Sequence, residues 1–439
     1  MSNDLRVLIL TICLLFTAID RSSAGGPDKS ADIAVTTPRG ITARIHPDPS
    51  APAISIAAYF RGGSFRDQTN GLSALTVSQI LENPRDIDPF VLAGRMRQLG
   101  ATYQLGAIDN YIRFQVTSPP DNIQAATRLA FDSLIKSPPQ PKNVENALSF
   151  YSIASKIPQS DGIRALNFIR AQTMSNHPLY TMRTGSEGPS IGDLSPSALT
   201  AWHQAHFARD NLVIGIAGPI DAKIAVQLID NIFASLPEKS NLPPPVPFAV
   251  TPTATIIHER GSEDLATIVI EAEWPADTDI KTSAAKDLLR NILVGEKYGR
   301  LPKLLQKVTE LPLGVTSIVN LQEGGNLISF RSHVPQAKAD MTAAEILKGL
   351  DEVSQSGVTA DELKTAVTRM KESAARQSDQ PSVIAAQLAQ DQIQNLAIDF
   401  RARKLTAYEG ATVGEVNALA RTVLAQGKIT TAILSSVRQ

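Results

Sequence analysis

Short apolar runs rich in β-branched residues recur along the chain at 54–59, 111–117, 211–217, 266–272, 315–320, 327–331 and 428–434, and predict strands. Elsewhere apolar residues return every three or four positions, at 71–81, 122–135, 143–155, 163–174, 284–293, 341–354 and 360–373. That spacing predicts amphipathic helices. A strand-rich meander followed by helices in each half argues an α+β fold. Each half should be a mostly antiparallel sheet with helices packed on one face.

The clearest break is the segment 236–247, whose prolines at 237, 243, 244, 245 and 247 fit neither helix interiors nor central strands. It reads as an extended linker over 237–252 between two halves of similar size, 25–236 and 253–439. The halves resemble each other locally. A helix capped at Ser195 runs through Leu199, Trp202 and His206 into the strand 211–217, and a helix capped at Thr412 runs through Val416, Leu419 and Val423 into the strand 428–434. The interval from Ser195 to Asp210 equals that from Thr412 to Gly427, which points to a duplicated domain.

Composition narrows the class. The 439 residues are 43% apolar and 19% charged, enough to bury a sizeable core. The 42 basic and 43 acidic side chains leave a formal charge of -1 with no long basic run, which argues against a nucleic-acid partner. At the N-terminus Arg6 precedes an apolar run, 7–18, too short to span a bilayer, and Ser22, Ser23 and Ala24 supply small residues for cleavage. Residues 1–24 therefore read as a signal peptide. The one cysteine, Cys13, lies inside it, so the exported chain would carry no thiol, which suits the periplasm. No membrane anchor is expected after its removal.

A glycine-rich stretch, 59–65, leads into the helix 71–81, and Leu99, Gly100, Ala101, Thr102 and Tyr103 follow. Further on stand His177, Pro178, Tyr180, Gly185, the run 191–195, Leu199, the segment 211–218 and the ending 232–237. Element by element this order resembles the inverted zinc metallopeptidases related to pitrilysin, insulinase and mitochondrial processing peptidase. The resemblance implies two similar α+β domains that close with a second such pair around a peptide. It also implies a zinc site, in which a helix bearing HxxEH supplies two histidines and a general-base glutamate.

The resemblance places those three residues on Ala74, Ser78 and Val77, none of which can ligate zinc or take a proton. The family's third ligand, a glutamate, should fall within 146–159, a stretch without a carboxylate; Glu145 and Asp161 flank it. An arginine and tyrosine pair that stabilises the family's tetrahedral intermediate falls on Gln306 and Leu313, while Arg300 matches a framework arginine. No cofactor is therefore expected, although the family uses zinc.

Other constellations are weaker. His203 and His206 have the spacing of two ligands on one helix turn, but read better as surface or boundary histidines ahead of a strand. Gly62 with Gly63, and Gly324 with Gly325, lack any phosphate-loop pattern and read as turn glycines. Ser73 and Ser78 lie in no nucleophile elbow.

Three readings follow. In the first the chain is a non-catalytic subunit, or pseudopeptidase, that completes a peptide-binding chamber with an HxxEH-bearing partner in a heterodimer. Peptide would add as a strand at Thr102, Tyr103, Gln104, Leu105 and Gly106, with Arg300 as a further candidate contact. The second is a free-standing peptide-binding scaffold, and the third an active zinc peptidase with displaced ligands such as His203 and His206.

Overall fold

A computed structural model describes residues 32–67, 69, 71–139, 160–174, 194–244, 250–251, 256–277, 279–322, 325–376, 379–425 and 427–436. The segment 1–24 expected to be a signal peptide, the predicted helix 143–155, the motif 177–185 and Gly324 lie outside them.

The first half contributes β1 (Ile33–Thr36), β2 (Thr42–Pro47), β3 (Ile54–Arg61), β4 (Thr102–Ala107), β5 (Tyr111–Ser118) and β6 (Leu212–Gly218). They form one sheet in the order β1-β2-β6-β3-β5-β4. The second half contributes β7 (Ile256–Arg260), β8 (Ala266–Trp274), β9 (Thr316–Gln322), β10 (Gly325–Val334) and β11 (Ile429–Ser435), in the order β7-β11-β8-β10-β9. Among the described residues only β2 with β6, and β7 with β11, pair in parallel; every other pairing is antiparallel. If β2 is matched to β7 and β6 to β11, the remaining strands β3, β5 and β4 correspond in order to β8, β10 and β9. The duplication seen at one helix and strand thus extends through both sheets.

Thirteen α-helices among the described residues surround the sheets: α1 (Leu72–Glu82), α2 (Pro89–Gln98), α3 (Ile123–Leu134), α4 (Asp161–Thr173), α5 (Pro196–His206), α6 (Ala222–Phe233), α7 (Ile280–Val294), α8 (Arg300–Thr309), α9 (Ala339–Ser356), α10 (Ala360–Ala375), α11 (Pro381–Ile393), α12 (Phe400–Gly410) and α13 (Val413–Val423). The expected caps form. Ser195 Oγ accepts from Ala198 N at the start of α5, and Thr412 makes a capping box with Glu415 at the start of α13. None of the described helices is long and apolar enough to cross a membrane.

Each half packs one face of its sheet against its own helices. On β3, Ile54, Ile56, Ala58 and Phe60 join the first large core, and on β8, Ala266, Ile268, Ile270, Ala272 and Trp274 join the second. The opposite faces are covered by exchange. Ala385 and Ala389 of α11, from the second half, rest on Ala57, Tyr59, Val213 and Ala217 of the first sheet. Reciprocally, Ala165 and Ile169 of α4, from the first half, rest on Ile257, Val269, Ala432 and Leu434 of the second. This is why β3 and β6 read as continuous apolar runs: both of their faces are buried.

The exchanged helices are fastened by polar contacts as well. Gln115 Nε2 donates to Ser382 O at 2.7 Å and Gln392 Nε2 to Ile214 O at 2.8 Å. Gly215 makes the close approach possible, since a Cβ there would lie 2.0 Å from Ala385 O. At the other crossing, Asp161 at the N-terminus of α4 accepts from Ser262 N, Glu263 N and Ser262 Oγ at 2.7, 3.1 and 2.9 Å, and from Arg164 Nη1 at 2.8 Å. Burial alone would raise the Asp161 pKa, but these donors hold it below its ordinary value.

Candidate functional site

The helix α1 starts at Gly71, whose φ of 84° places it in the left-handed region. Its first turn is anchored by Asp67, which is buried and accepts from Ser73 N at 2.9 Å, Ser73 Oγ at 2.7 Å and Trp202 Nε1 at 3.2 Å. Burial pushes the Asp67 pKa up to about 6, against the opposing effect of its three donors. Trp202 lies on α5, so Asp67 ties the start of α1 to that helix.

The three positions matched to HxxEH do not share one environment. Val77 is buried in the first core, whereas Ala74 is exposed and Ser78 is half-buried, its hydroxyl donating to Glu82 Oε1 at 2.6 Å. Only Val77 is therefore a packing residue. A methyl group and a hydroxyl stand where imidazoles would have to project, so the donor set on α1 does not fit zinc. The stretch expected to hold a third ligand, 146–159, lies outside the described residues.

His203 and His206 depart from the surface or boundary placement expected of them: both are buried. His203 Nε2 donates to Ile135 O at 2.8 Å, with its ring 4.6 Å from that of Phe207. His206 Nδ1 donates to Trp202 O at 2.7 Å and its ring stacks on Trp202 at 4.2 Å. Burial pulls both pKa values down to about 4, so each is neutral near pH 7 with one nitrogen committed to a carbonyl. Among the described residues no three metal-binding side chains gather into one group.

Thr102, Tyr103, Gln104, Leu105 and Gly106 all lie on β4, the strand at one end of the first sheet. Its inner side pairs with β5, and among the described residues no strand pairs with its outer side. Natural edge strands are commonly blunted by charge or proline. β4, with the sequence Thr-Tyr-Gln-Leu-Gly-Ala, carries neither, whereas β7 at the end of the second sheet carries Glu259 and Arg260.

Arg300 sits at the start of α8, where its guanidinium is held by Glu362 and Gly357. Its Nε and Nη2 each reach a Glu362 oxygen at 2.6 Å, and Nη2 also donates to Gly357 O at 3.0 Å. The Arg300 guanidinium holds the Glu362 pKa down to about 2, and Glu362 is also the reciprocal member of the Thr359 capping box at α10. The contacts are those of a framework arginine. Gln306 is exposed on the same helix, and Leu313 packs half-buried against the second core.

Residues 193–370 match the family model described as the peptidase M16 inactive domain. Over that span the chain is similar to the M16 family. The match runs from just before α5 into α10 and so takes in parts of both halves. No curated protein matches the chain. Among solved structures, the peptidase M16 inactive domain from Pseudomonas fluorescens has 19% identity and a TM-score of 0.81, covering 93% of this chain and 98% of that one. A protease from Helicobacter pylori has 15% identity and a TM-score of 0.77, covering 92% and 99%. A chain of complex III2 from Candida albicans has 15% identity and a TM-score of 0.73, covering 92% and 96%. These likenesses show the fold, a two-sheet α+β architecture shared with those chains.

Proposed function

We propose that this chain is a non-catalytic M16 subunit of the periplasm, which completes a peptide-binding chamber with an HxxEH-bearing partner of the same family. The observation that carries the reading is the juxtaposition of two features. Helix α1 is anchored in place by Asp67 but offers Ala74, Val77 and Ser78 in place of ligands and base. Strand β4 meanwhile presents an uncharged outer edge. An extended peptide adding to that edge would gain backbone hydrogen bonds without any zinc chemistry. The match to an inactive M16 domain supports the absence of catalysis.

The partner and the edge can be tested separately. Capture of the tagged full-length chain from its own host's periplasm should recover a second M16 protein with HxxEH. Gln104→Pro, on the open edge, should abolish binding of an extended peptide without displacing that partner. Recovery of the chain alone, with no peptidase, would replace this reading with the free-standing scaffold. Peptide binding unaffected by Gln104→Pro would remove β4 from the account.

A further inference from the structure

At the end of the first sheet opposite β4, strands β1 and β2 and the C-terminal end of α11 border a cavity of about 400 Å³. Arg44 and Arg61 line it together with Thr36, Thr42 and Asn395, and no carboxylate is among its lining residues. The volume lies in the lower part of the roughly 300–1,000 Å³ range of small-molecule sites, larger than a bare ion needs.

Part of the guanidinium chemistry has a structural role. Arg61 Nη2 donates to Gln392 O at 3.3 Å and Arg44 Nη2 donates to Leu396 O. These are carbonyls at and just beyond the end of α11, where the helix dipole favours a cation. Arg44 Nη1 is different. It is buried and has no acceptor among the described residues.

A buried donor left unpaired costs about 1–3 kcal/mol, and more when the group is charged, so such an atom calls for an acceptor the protein does not supply. Asp32 and Asp391 lie near enough to favour the charge on Arg44. Neither bonds Nη1: Asp32 bonds His46 Nδ1 at 2.7 Å and Asp391 forms two bonds with Arg401 at 2.7 and 2.8 Å.

We propose that this cavity binds a small organic anion, a carboxylate or a phosphate ester, with one oxygen accepting from Arg44 Nη1. The apolar part of the ligand would rest against Val35 and Leu396, which also line the cavity. Guanidinium suits both kinds of oxyanion. No carboxylate lines the cavity, and the two nearest to Arg44, Asp32 and Asp391, are each bonded to another side chain, His46 and Arg401. The site is independent of peptide binding at β4.

Calorimetric titration of the full chain with succinate, glycerol 3-phosphate and neutral succinamide tests it. At least one of the two anions should bind and succinamide should not; succinate alone identifies a carboxylate site, glycerol 3-phosphate alone a phosphate site. Arg44→Gln should weaken Kd by about tenfold or more, equal to about 1.4 kcal/mol. Because that change also removes a contact to α11, Thr36→Trp serves as the second variant: it fills the cavity from the exposed edge strand and leaves both arginines in place. Thr36→Trp should abolish binding with the fold intact by circular dichroism. Failure of both anions to bind, equal binding of succinamide, or binding unchanged in Thr36→Trp would overturn the proposal.

Discussion

Arg170 on α4 and Glu271 on β8 form a buried ion pair at 2.9 Å that crosses from the first half's helix to the second half's sheet. Ser329 Oγ donates to the same carboxylate at 2.8 Å. Breaking such a pair on one side strands the other charge. Arg170→Met should therefore lower the unfolding free energy by about 3–5 kcal/mol, whereas Arg170→Met with Glu271→Leu should recover most of that loss. Denaturant titration of the two variants checks this. Equal destabilisation in both would mean that the pair acts through packing, not charge.

The second crossing depends on the absence of a side chain. A Cβ on Gly215 would meet backbone atoms of α11, 2.0 Å from Ala385 O and 2.8 Å from Ala389 N, and backbone cannot rotate away. Gly215→Ala should cost about 1–3 kcal/mol or more, with faster amide exchange concentrated in α11. Gly410→Ala, where an added Cβ meets nothing within 4 Å, is the control and should be neutral or stabilising. Similar losses at both positions would contradict the tight seating of α11.

Acid should destabilise the fold through its buried histidines. The pKa values of His203 and His206 fall to about 4 in the folded chain, so between the unfolded value near 6.5 and pH 4 the unfolded state binds more protons and stability drops as pH falls. Asp67 works in the other direction. Its pKa rises to about 6, so the folded state binds the proton more tightly, and this group adds stability as pH falls from 6 towards 4. Asp67→Asn should steepen the acid-side loss of stability between pH 6 and 4. An unchanged slope would show that Asp67 is not held protonated by burial.

The three positions matched to HxxEH should respond unequally to ligand-bearing residues. Ala74→His, at an exposed position, should change stability by no more than about 0.5 kcal/mol. Val77→Glu puts a carboxylate into the first core and should cost several kcal/mol, on the order of the 1–3 kcal/mol or more for an unpaired buried polar group. Thermal unfolding of each variant is sufficient. A tolerated Val77→Glu would mean that α1 can turn this position towards solvent.

Much of the architecture was legible because its causes are local. Ser195 and Thr412 cap helices through atoms three residues away, and β3 and β6 are nearly continuous apolar runs because both faces are covered. The exchange of α4 and α11 was not legible. α11 meets the first sheet through Ala385 and Ala389, residues too small to mark a core face, and its fit depends on Gly215 about 170 positions earlier.

At the candidate site the substitutions at Ala74, Val77 and Ser78 can be read directly, but their surroundings cannot. Asp67 acquires its role from Trp202, 135 residues away, and Arg300 from Glu362, 62 residues away. His203 and His206 look like boundary residues in one dimension. They are buried because Phe207, Trp202 and Ile135 close around them.

The most direct test is zinc-dependent hydrolysis of an unfolded peptide by the purified chain, by an HxxEH-bearing partner, and by the two mixed. No hydrolysis is expected from the chain alone, and efficient hydrolysis only from the mixture. Hydrolysis by the chain alone, abolished by a chelator and restored by zinc, would contradict this expectation.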